Sequence, residues 1–214
     1  MKNQIKSKER VTEHGEVYTS EREVNNMLDL VKQETERLDS RFLEPACGDG
    51  NFLIKVLERK VDVLLSRYKK SQFEFEKNSV VVISSIYGID ILEDNVEETQ
   101  DRLFNYFKSV YSKIYKGLEN EELLLTLKYI LSKNIIHGDA LTLKKIDSDK
   151  PVTFCEWSLV NSSIKRRDFT FEHLLQNSPL EGPNLFSDLG EDVFIPTPIK
   201  EYPLTHYLKL SELC

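Results

Sequence analysis

The fold is set around the segment Leu43-Glu44-Pro45-Ala46-Cys47-Gly48-Asp49-Gly50-Asn51-Phe52-Leu53. Residues 41–44 predict a short strand that Pro45 stops, because proline cannot donate to a sheet ladder. A turn with two glycines follows. From Asn51 onward, apolar side chains recur at the spacing of a helix face: Leu53, Val56, Leu57, Val61, Leu64 and Leu65. The stretch therefore predicts a strand, a tight turn and a helix in succession.

Further strands and helices alternate along the chain after this unit. Strands are predicted over residues 80–87, whose apolar run is continuous and rich in β-branched side chains, and over residues 134–137 and 151–160. A polar surface loop is predicted over residues 68–78, and two helices lie between the second and third strands. We therefore expect an α/β fold with a mostly parallel sheet flanked by helices.

The two ends of the chain differ from this body. Ser20 is predicted to cap a helix, since Glu23 stands three residues later, which is the spacing of a capping box. At the other end, five of the seven prolines fall beyond Asn177. The chain is therefore predicted to form a domain over residues 1–176, followed by a proline-rich extension over residues 177–214 that packs on the domain or on a partner.

Composition excludes several classes of protein. The chain has 214 residues, of which 40% are hydrophobic and 30% charged, and a formal net charge of -7. A freestanding nucleic-acid module is usually basic, so broad non-specific binding to phosphates is not expected. The cysteines are too scattered for a disulfide framework or a zinc site, and we assign no metal. No apolar run is long enough for a membrane helix, and we expect a cytoplasmic protein.

Acidic side chains follow three of the predicted strands. Glu44 opens the glycine turn, Asp90 follows Gly88, and Asp139 follows Gly138. Ligands of open α/β sheets bind at the carboxyl ends of the strands. In that position the Glu44 carboxylate can hold an ammonium or a hydroxyl, and Asp90 can accept from both hydroxyls of a ribose. Asp139 can accept from the exocyclic amine of an adenine. This layout predicts an adenosine-type site, and the absence of a phosphate-binding lysine from the turn argues against a nucleoside triphosphate.

Four motifs along the chain share an order with those of a known family. The stretch quoted above is preceded by His14-Gly15-Glu16-Val17-Tyr18-Thr19-Ser20 and followed by Tyr87-Gly88-Ile89-Asp90 and His137-Gly138-Asp139-Ala140-Leu141. Together they resemble the motifs of S-adenosylmethionine-dependent DNA adenine-N6 methyltransferases of restriction–modification systems, with Ser20 where the family usually has proline. The resemblance covers roughly residues 10–145 and implies a Rossmann-like methyltransferase fold.

The resemblance also implies a role for each of these residues toward S-adenosyl-L-methionine as cofactor. Asp90 would take the ribose hydroxyls and Asp139 would accept from the adenine amine. Ile91 and Ala140 would flank the adenine ring. The methionine end would be held by Thr19 and by residues of the turn, namely Glu44, Pro45, Ala46, Cys47, Gly48 and Gly50.

The catalytic tetrapeptide of the family, Asn-Pro-Pro-Tyr or a close variant after the fourth strand, is absent from the sequence. In the family, its groups accept from the amine of a flipped-out adenine, and its aromatic ring stacks on the base. Asn161, in Asn161-Ser162-Ser163-Ile164, stands where the motif would begin, and it is our candidate catalytic residue. Asn177, in Asn177-Ser178-Pro179-Leu180, is a poorer candidate.

Ordinary structural roles compete with each of these assignments. The turn also suits a plain strand-to-helix connection, Asp90 a helix cap and Asp139 a turn residue. Thr19 is a capping residue type, and Asn161 suits a turn. The basic cluster Lys165-Arg166-Arg167 contacts either solvent, DNA phosphates or a partner.

The sequence therefore leaves two main functions open, and a third, methylation of a small molecule or of another macromolecule at a nonstandard active site, has no residue that selects it. The favoured one is a methyltransferase-like subunit of a DNA restriction–modification system that binds S-adenosylmethionine and, by resemblance, methylates adenine N6. Its partners would be DNA and a second subunit that supplies sequence recognition or catalytic groups. The alternative is a non-catalytic scaffold or sensor with a methyltransferase fold that binds a protein partner.

Overall fold

The computed structural model describes residues 9, 10, 12, 19–175 and 197–213. These residues form a mixed α/β fold with a mostly parallel sheet, a second, antiparallel sheet and flanking helices. The elements are α1 (Glu21–Leu30), α2 (Lys32–Thr35), β1 (Phe42–Glu44), α3 (Asn51–Tyr68), α4 (Gln72–Ser84), β2 (Ile86–Asp90), α5 (Glu93–Ile114), α6 (Glu121–Asn134), β3 (Ile135–Asp139), β4 (Lys144–Lys145), β5 (Thr153–Val160), β6 (Ser163–Thr170), α7 (Phe171–Leu175), β7 (Lys200–Glu201), β8 (Thr205–His206) and a 3-10 helix (Tyr207–Glu212). Within these ranges, no helix has the length and apolar character needed to span a bilayer.

The first sheet has the strand order β1-β2-β3-β4, and its first three strands are parallel. Glu44 lies opposite Gly88, and Asp90 lies opposite His137. The carboxyl ends of β1, β2 and β3 therefore meet at one edge of the sheet. The predicted mostly parallel sheet is confirmed over these three strands, and β4 adds a short antiparallel strand beside β3.

The predicted strand, turn and helix around Pro45 are confirmed by β1 and α3. The capping box at α1 is confirmed as well. The Glu23 amide donates to Ser20 Oγ at 3.4 Å, and the Ser20 amide donates to Glu23 Oε2 at 3.1 Å. Local side-chain chemistry sets the start of α1, whereas α3 begins after the glycine turn at Gly50.

The strand predicted over residues 80–87 and the loop predicted over residues 68–78 are wrong. Ser71 caps α4, which continues to Ser84, so most of both segments is helical. Nearly every side of this helix is covered, and Val80, Val82 and Ile83 are fully buried. A continuous apolar run does not distinguish a buried helix from a buried strand, and here the helix forms because tertiary packing surrounds it.

The strand predicted over residues 151–160 exists as β5, but it does not extend the parallel sheet as expected. It pairs antiparallel with β6, and the second sheet then adds β7 and β8 along β6. This sheet packs against one face of the first sheet through a small apolar cluster that comprises Tyr87, Ile89, Ile136, Val152, Phe154 and Phe171. The orientation differs because the turn after Val160 folds β6 directly back onto β5.

The described part of the C-terminal region, residues 197–213, packs on the body of the fold. Tyr207 and Leu210 are buried in the main core. Tyr129 donates its hydroxyl hydrogen to the carbonyl of Leu213 at 2.6 Å, and Tyr202 donates to Asp168 at 3.1 Å. Residues 177–196, which contain the candidate Asn177, lie outside the described residues.

Candidate functional site

The turn between β1 and α3 is fixed by backbone hydrogen bonds at the carboxyl edge of the first sheet. The Cys47 amide donates to the carbonyl of Ile89 at 2.9 Å, which ties the turn to β2. Gly48 and Gly50 have φ angles of 53° and 80°, a region in which glycine is favoured. Among the described residues, no side chain caps the start of α3, whose N-cap is Gly50.

Gly88 lets this turn lie directly on β2. A Cβ atom at this position would stand 3.0 Å from both Cys47 Sγ and Leu53 Cδ1. The Cys47 thiol is buried, and burial together with the charge of Asp90 raises its pKa to about 12. The thiol is therefore neutral near pH 7, and it acts as a packing group instead of a nucleophile.

Asp90 is buried at the end of β2 and accepts three hydrogen bonds from within the chain. The Gly48 amide donates to Oδ2 at 2.8 Å, while the Leu92 amide and the Asn95 side chain donate to Oδ1 at 2.9 and 3.2 Å. A carboxylate has about four acceptor positions. Asp90 thus braces the turn against the start of α5 and keeps about one acceptor position for a ligand.

A polar stripe on α5, which sequence reasoning missed, supports the other side of the turn. Thr99 donates to the carbonyl of Gly48 at 2.9 Å, and Arg102 donates to the carbonyl of Asp49 at 3.0 Å. Arg102 also forms an ion pair with the Asp49 carboxylate at 3.1 Å. Asn95, Thr99 and Arg102 follow helical spacing and so lie on one face of α5. The signal in the sequence that could have revealed this stripe was the polar periodicity beside the apolar face of the helix.

The N-terminal part of the chain reaches the same region through Arg10. Its guanidinium donates to both carboxylate oxygens of Asp94, at 2.6 and 3.0 Å, and to Asn95 Oδ1 at 3.2 Å. Asn95 in turn donates to Asp90. Arg10 is therefore anchored next to the acidic edge of the sheet.

Glu44 is less buried than Asp90, and, as for Asp90, none of the ion pairs among the described residues involves it. Its side chain is half-buried at the end of β1. Burial raises the pKa of its carboxyl, and a hydrogen bond with the Ala46 backbone opposes this only in part. An incoming cation would restore the lost solvation of this carboxylate, which makes Glu44 a natural partner for an ammonium group.

The end of β3 supplies a third carboxylate and exposed apolar side chains. Asp139 accepts from the Leu141 amide at 2.8 Å and from the Thr142 hydroxyl at 3.0 Å, and these bonds lower the pKa of its carboxyl. Ile91 is 42% exposed beside it, and its carbonyl oxygen lies 3.1 Å from His137 Nε2. Ala140 is half-buried. Ile91 and Ala140 therefore add partly exposed apolar surface at the same end of the sheet as the Asp139 carboxylate.

Two other predicted site residues are not drawn into this cluster. Thr19 is exposed ahead of α1, and among the described residues no hydrogen bond joins it to the turn. Asn161 lies at the exposed turn between β5 and β6, with a φ angle of 57°. This left-handed conformation is one that asparagine readily adopts in turns. The rest of the predicted upstream motif, residues 14–18, lies outside the described residues.

The residues at this edge fit S-adenosylmethionine in part. The cofactor carries a positive sulfonium and an ammonium, which suit the acidic turn, and an adenine that suits Ile91, Ala140 and Asp139. The exception is Asp90, which can accept about one ribose hydroxyl but not two. Among the described residues, no cluster of three His, Cys, Asp or Glu side chains could hold a metal ion.

Comparisons with known proteins returned no match: no family model, no curated protein and no solved structure resembles this chain at a significant level. Its function is therefore inferred from its own residues and geometry.

Proposed function

We propose that this chain is a methyltransferase-like subunit of a cytoplasmic DNA restriction–modification system, and that it binds S-adenosylmethionine at the carboxyl edge of its parallel sheet. The observation that carries the proposal is the meeting of Glu44, Asp90 and Asp139 at one edge, around a glycine turn that opens onto the start of α3. The motif resemblance supplies the identity of the ligand. The proposed fold is the Rossmann-like methyltransferase type, reduced to three parallel strands.

The proposal gives the acidic residues separate tasks. Glu44 pairs with the ammonium of the methionine part, and Asp139 accepts from the adenine amine. Asp90 sets the position of Gly48, and its remaining acceptor position takes one ribose hydroxyl. The remaining turn residues, Pro45, Ala46, Cys47 and Gly50, shape the backbone that faces the methionine part.

The second candidate function is a non-catalytic scaffold or sensor that keeps the cofactor site and binds a protein partner. The observation that favours it is the position of Asn161, at a hairpin turn of the antiparallel sheet. In the family the catalytic asparagine follows a strand of the parallel sheet. Methylation of adenine N6 in DNA would then need groups supplied by a partner subunit.

Calorimetric titration with S-adenosylmethionine tests the binding site. We expect saturable binding to the wild type, and a dissociation constant at least about tenfold higher for Glu44→Gln and for Asp139→Asn, because each loses a charge-assisted contact. Asp101→Asn on α5 is the matched control, since Asp101 is exposed and makes the same change of charge. Equal affinity in all four proteins would remove the assigned site.

Transfer of a labelled methyl group to unmethylated duplex DNA separates the two candidate functions. A catalytic subunit should methylate adenine alone or with its partner, and Asn161→Ala should slow this reaction. A scaffold should bind the cofactor without transferring the methyl group under either condition. If wild type and Asn161→Ala methylate DNA equally well, Asn161 is not the catalytic residue.

A further inference from the structure

A second site lies at the opposite, amino end of the same strands. There a cavity of about 510 Å³ opens beside Arg41, which precedes β1, and beside Ser84 and Ser85, which precede β2. This is the volume range of sites that hold small ligands and cofactors. Three guanidinium groups, those of Arg37, Arg41 and Arg67, line the cavity, and we call it the arginine cleft.

The arginine cleft concentrates positive charge in an acidic protein. Among the residues that line it, Asp39 is the one acid, while the whole chain carries a formal net charge of -7. Glu34, Asp39 and Glu156 pair with Arg37 and Arg41, so an anion would be held by the guanidinium donors that these pairs leave free. The cleft also has an apolar wall, which is formed by Leu38, Val81, Trp157, Leu159 and Ile164.

The arginines keep most of their donors for a ligand. Arg37 and Arg41 have side chains that are 59% and 56% exposed. Arg37 pairs with Asp39 at 3.4 Å and with Glu34 at 3.7 Å, Arg41 pairs with Glu156 at 2.7 Å, and Arg67 donates to the carbonyl of Glu36 at 3.3 Å. Each guanidinium has five N–H donors in a planar fork, and that fork matches the oxygens of a phosphate.

Trp157 presents its ring to the cleft while its polar end is engaged elsewhere. Its Nε1–H donates to Asn134 Oδ1 at 2.9 Å, and the side chain is 8% exposed. The ring belongs to the apolar wall and is fixed in orientation by this bond. The cleft therefore offers phosphate-binding donors on one side and a rigid apolar surface on the other.

We propose that the arginine cleft binds a phosphorylated small molecule of nucleotide size. Its phosphates pair with Arg37, Arg41 and Arg67, and its apolar part rests on the wall that contains Leu38 and Trp157. This site is separate from the acidic edge, where a phosphate would be repelled by Glu44 and Asp139. It does not depend on the proposed function.

Calorimetric titration of the full chain with ADP tests the proposal. We expect saturable binding that weakens as salt is added, since exposed charge pairs are screened. Arg37→Gln/Arg67→Gln should raise the dissociation constant at least about tenfold, and the single change Arg67→Gln should raise it by a smaller factor. The control Arg22→Gln, at an exposed position of α1, should change it less than about twofold.

Competition experiments separate this site from the acidic edge and from nucleic-acid binding. Pyrophosphate should displace ADP, and saturating S-adenosylhomocysteine should leave the affinity for ADP unchanged. The proposal is overturned if millimolar ADP does not bind, if the double variant binds it like wild type, or if adenosine competes as strongly as ADP. It is also overturned if a DNA duplex binds more tightly than ADP and loses that binding in the double variant.

Discussion

The negative charges of two buried aspartates are stabilised by different kinds of hydrogen-bond donor. Asp90 and Asp168 are 8% and 7% exposed. The Asp168 carboxylate accepts hydrogen bonds from Nε and Nη2 of Arg166, each at 2.8 Å, and a third from the Tyr202 hydroxyl. Asp90 instead receives two backbone amides and the Asn95 side chain, and none of the ion pairs among the described residues involves it.

This difference separates a part of the molecule that holds the fold together from a part that is open to a ligand. Arg166 lies 4.1 Å from the Tyr202 ring centroid and also donates to the Tyr129 hydroxyl at 2.5 Å, so the ion pair connects the hairpin, α6 and the C-terminal segment. Around Asp90 the negative charge is met only by neutral donors. The negative charge of Asp90 is therefore not neutralised by a cationic side chain, and this charge would stabilise a cationic ligand at the acidic edge.

Breaking the Arg166–Asp168 pair should produce the largest effect. Arg166→Met leaves the Asp168 carboxylate buried without its counter-ion, and we expect a loss of about 3–5 kcal/mol in the free energy of unfolding. Denaturant-induced unfolding measures this loss. The double variant Arg166→Met/Asp168→Leu should recover most of it, because no buried charge remains. A single variant as stable as wild type would show that this pair does not hold the hairpin.

Removing the Asp90 carboxylate should have a smaller effect on stability. Asp90→Ala leaves the Gly48 and Leu92 amides without their acceptor, and we expect a loss of about 2–3 kcal/mol. Asp90→Asn keeps one oxygen and should lose about half as much. In Asp90→Ala, the Gly48 amide should exchange faster than in the wild type under conditions in which both proteins remain folded. Unchanged exchange would contradict the bracing role.

Acidification should change the acidic edge by the smallest amount. Burial raises the pKa of the Glu44 carboxyl above its usual value, so on acidification this carboxylate takes up its proton at a higher pH than an exposed glutamate does. The ammonium of S-adenosylmethionine stays protonated below about pH 8, and the pKa of Asp139 is lowered, so Glu44 is the group whose charge changes.

We therefore expect the affinity of the wild type for S-adenosylmethionine to fall severalfold between pH 7 and pH 4. The affinity of Glu44→Gln should stay flat over the same range. Titration calorimetry at both pH values gives the comparison, and an equal fall in the two proteins would assign the pH effect to another group.

The sequence predicts the elements whose signals are local and misses those set by packing. Pro45, Gly48 and Gly50 mark the turn, and Ser20 with Glu23 marks the start of α1. Helix α4 is missed because burial on nearly all sides removes the polar face that would reveal it. Strand β6 is missed because Lys165-Arg166-Arg167 reads as a solvated basic cluster.

Within the candidate site, the sequence predicts which acids meet but not how each is used. The parallel order of β1, β2 and β3 brings Glu44, Asp90 and Asp139 to one edge. The Leu92 amide that bonds Asp90 follows the two-residue spacing of an Asx turn, but no spacing rule predicts the other two donors, the Gly48 amide and the Asn95 side chain. For the same reason the direction of β5, and hence the position of Asn161, follows only from its pairing with β6.

The most direct test of the central claim is hydrogen–deuterium exchange of the full chain with and without S-adenosylmethionine. If the acidic edge is the cofactor site, S-adenosylmethionine should slow exchange only in residues 44–54, 88–92 and 137–142. Exchange in the second sheet should not change. Protection restricted to the arginine cleft or the hairpin, or no protection at saturating cofactor, would contradict the claim.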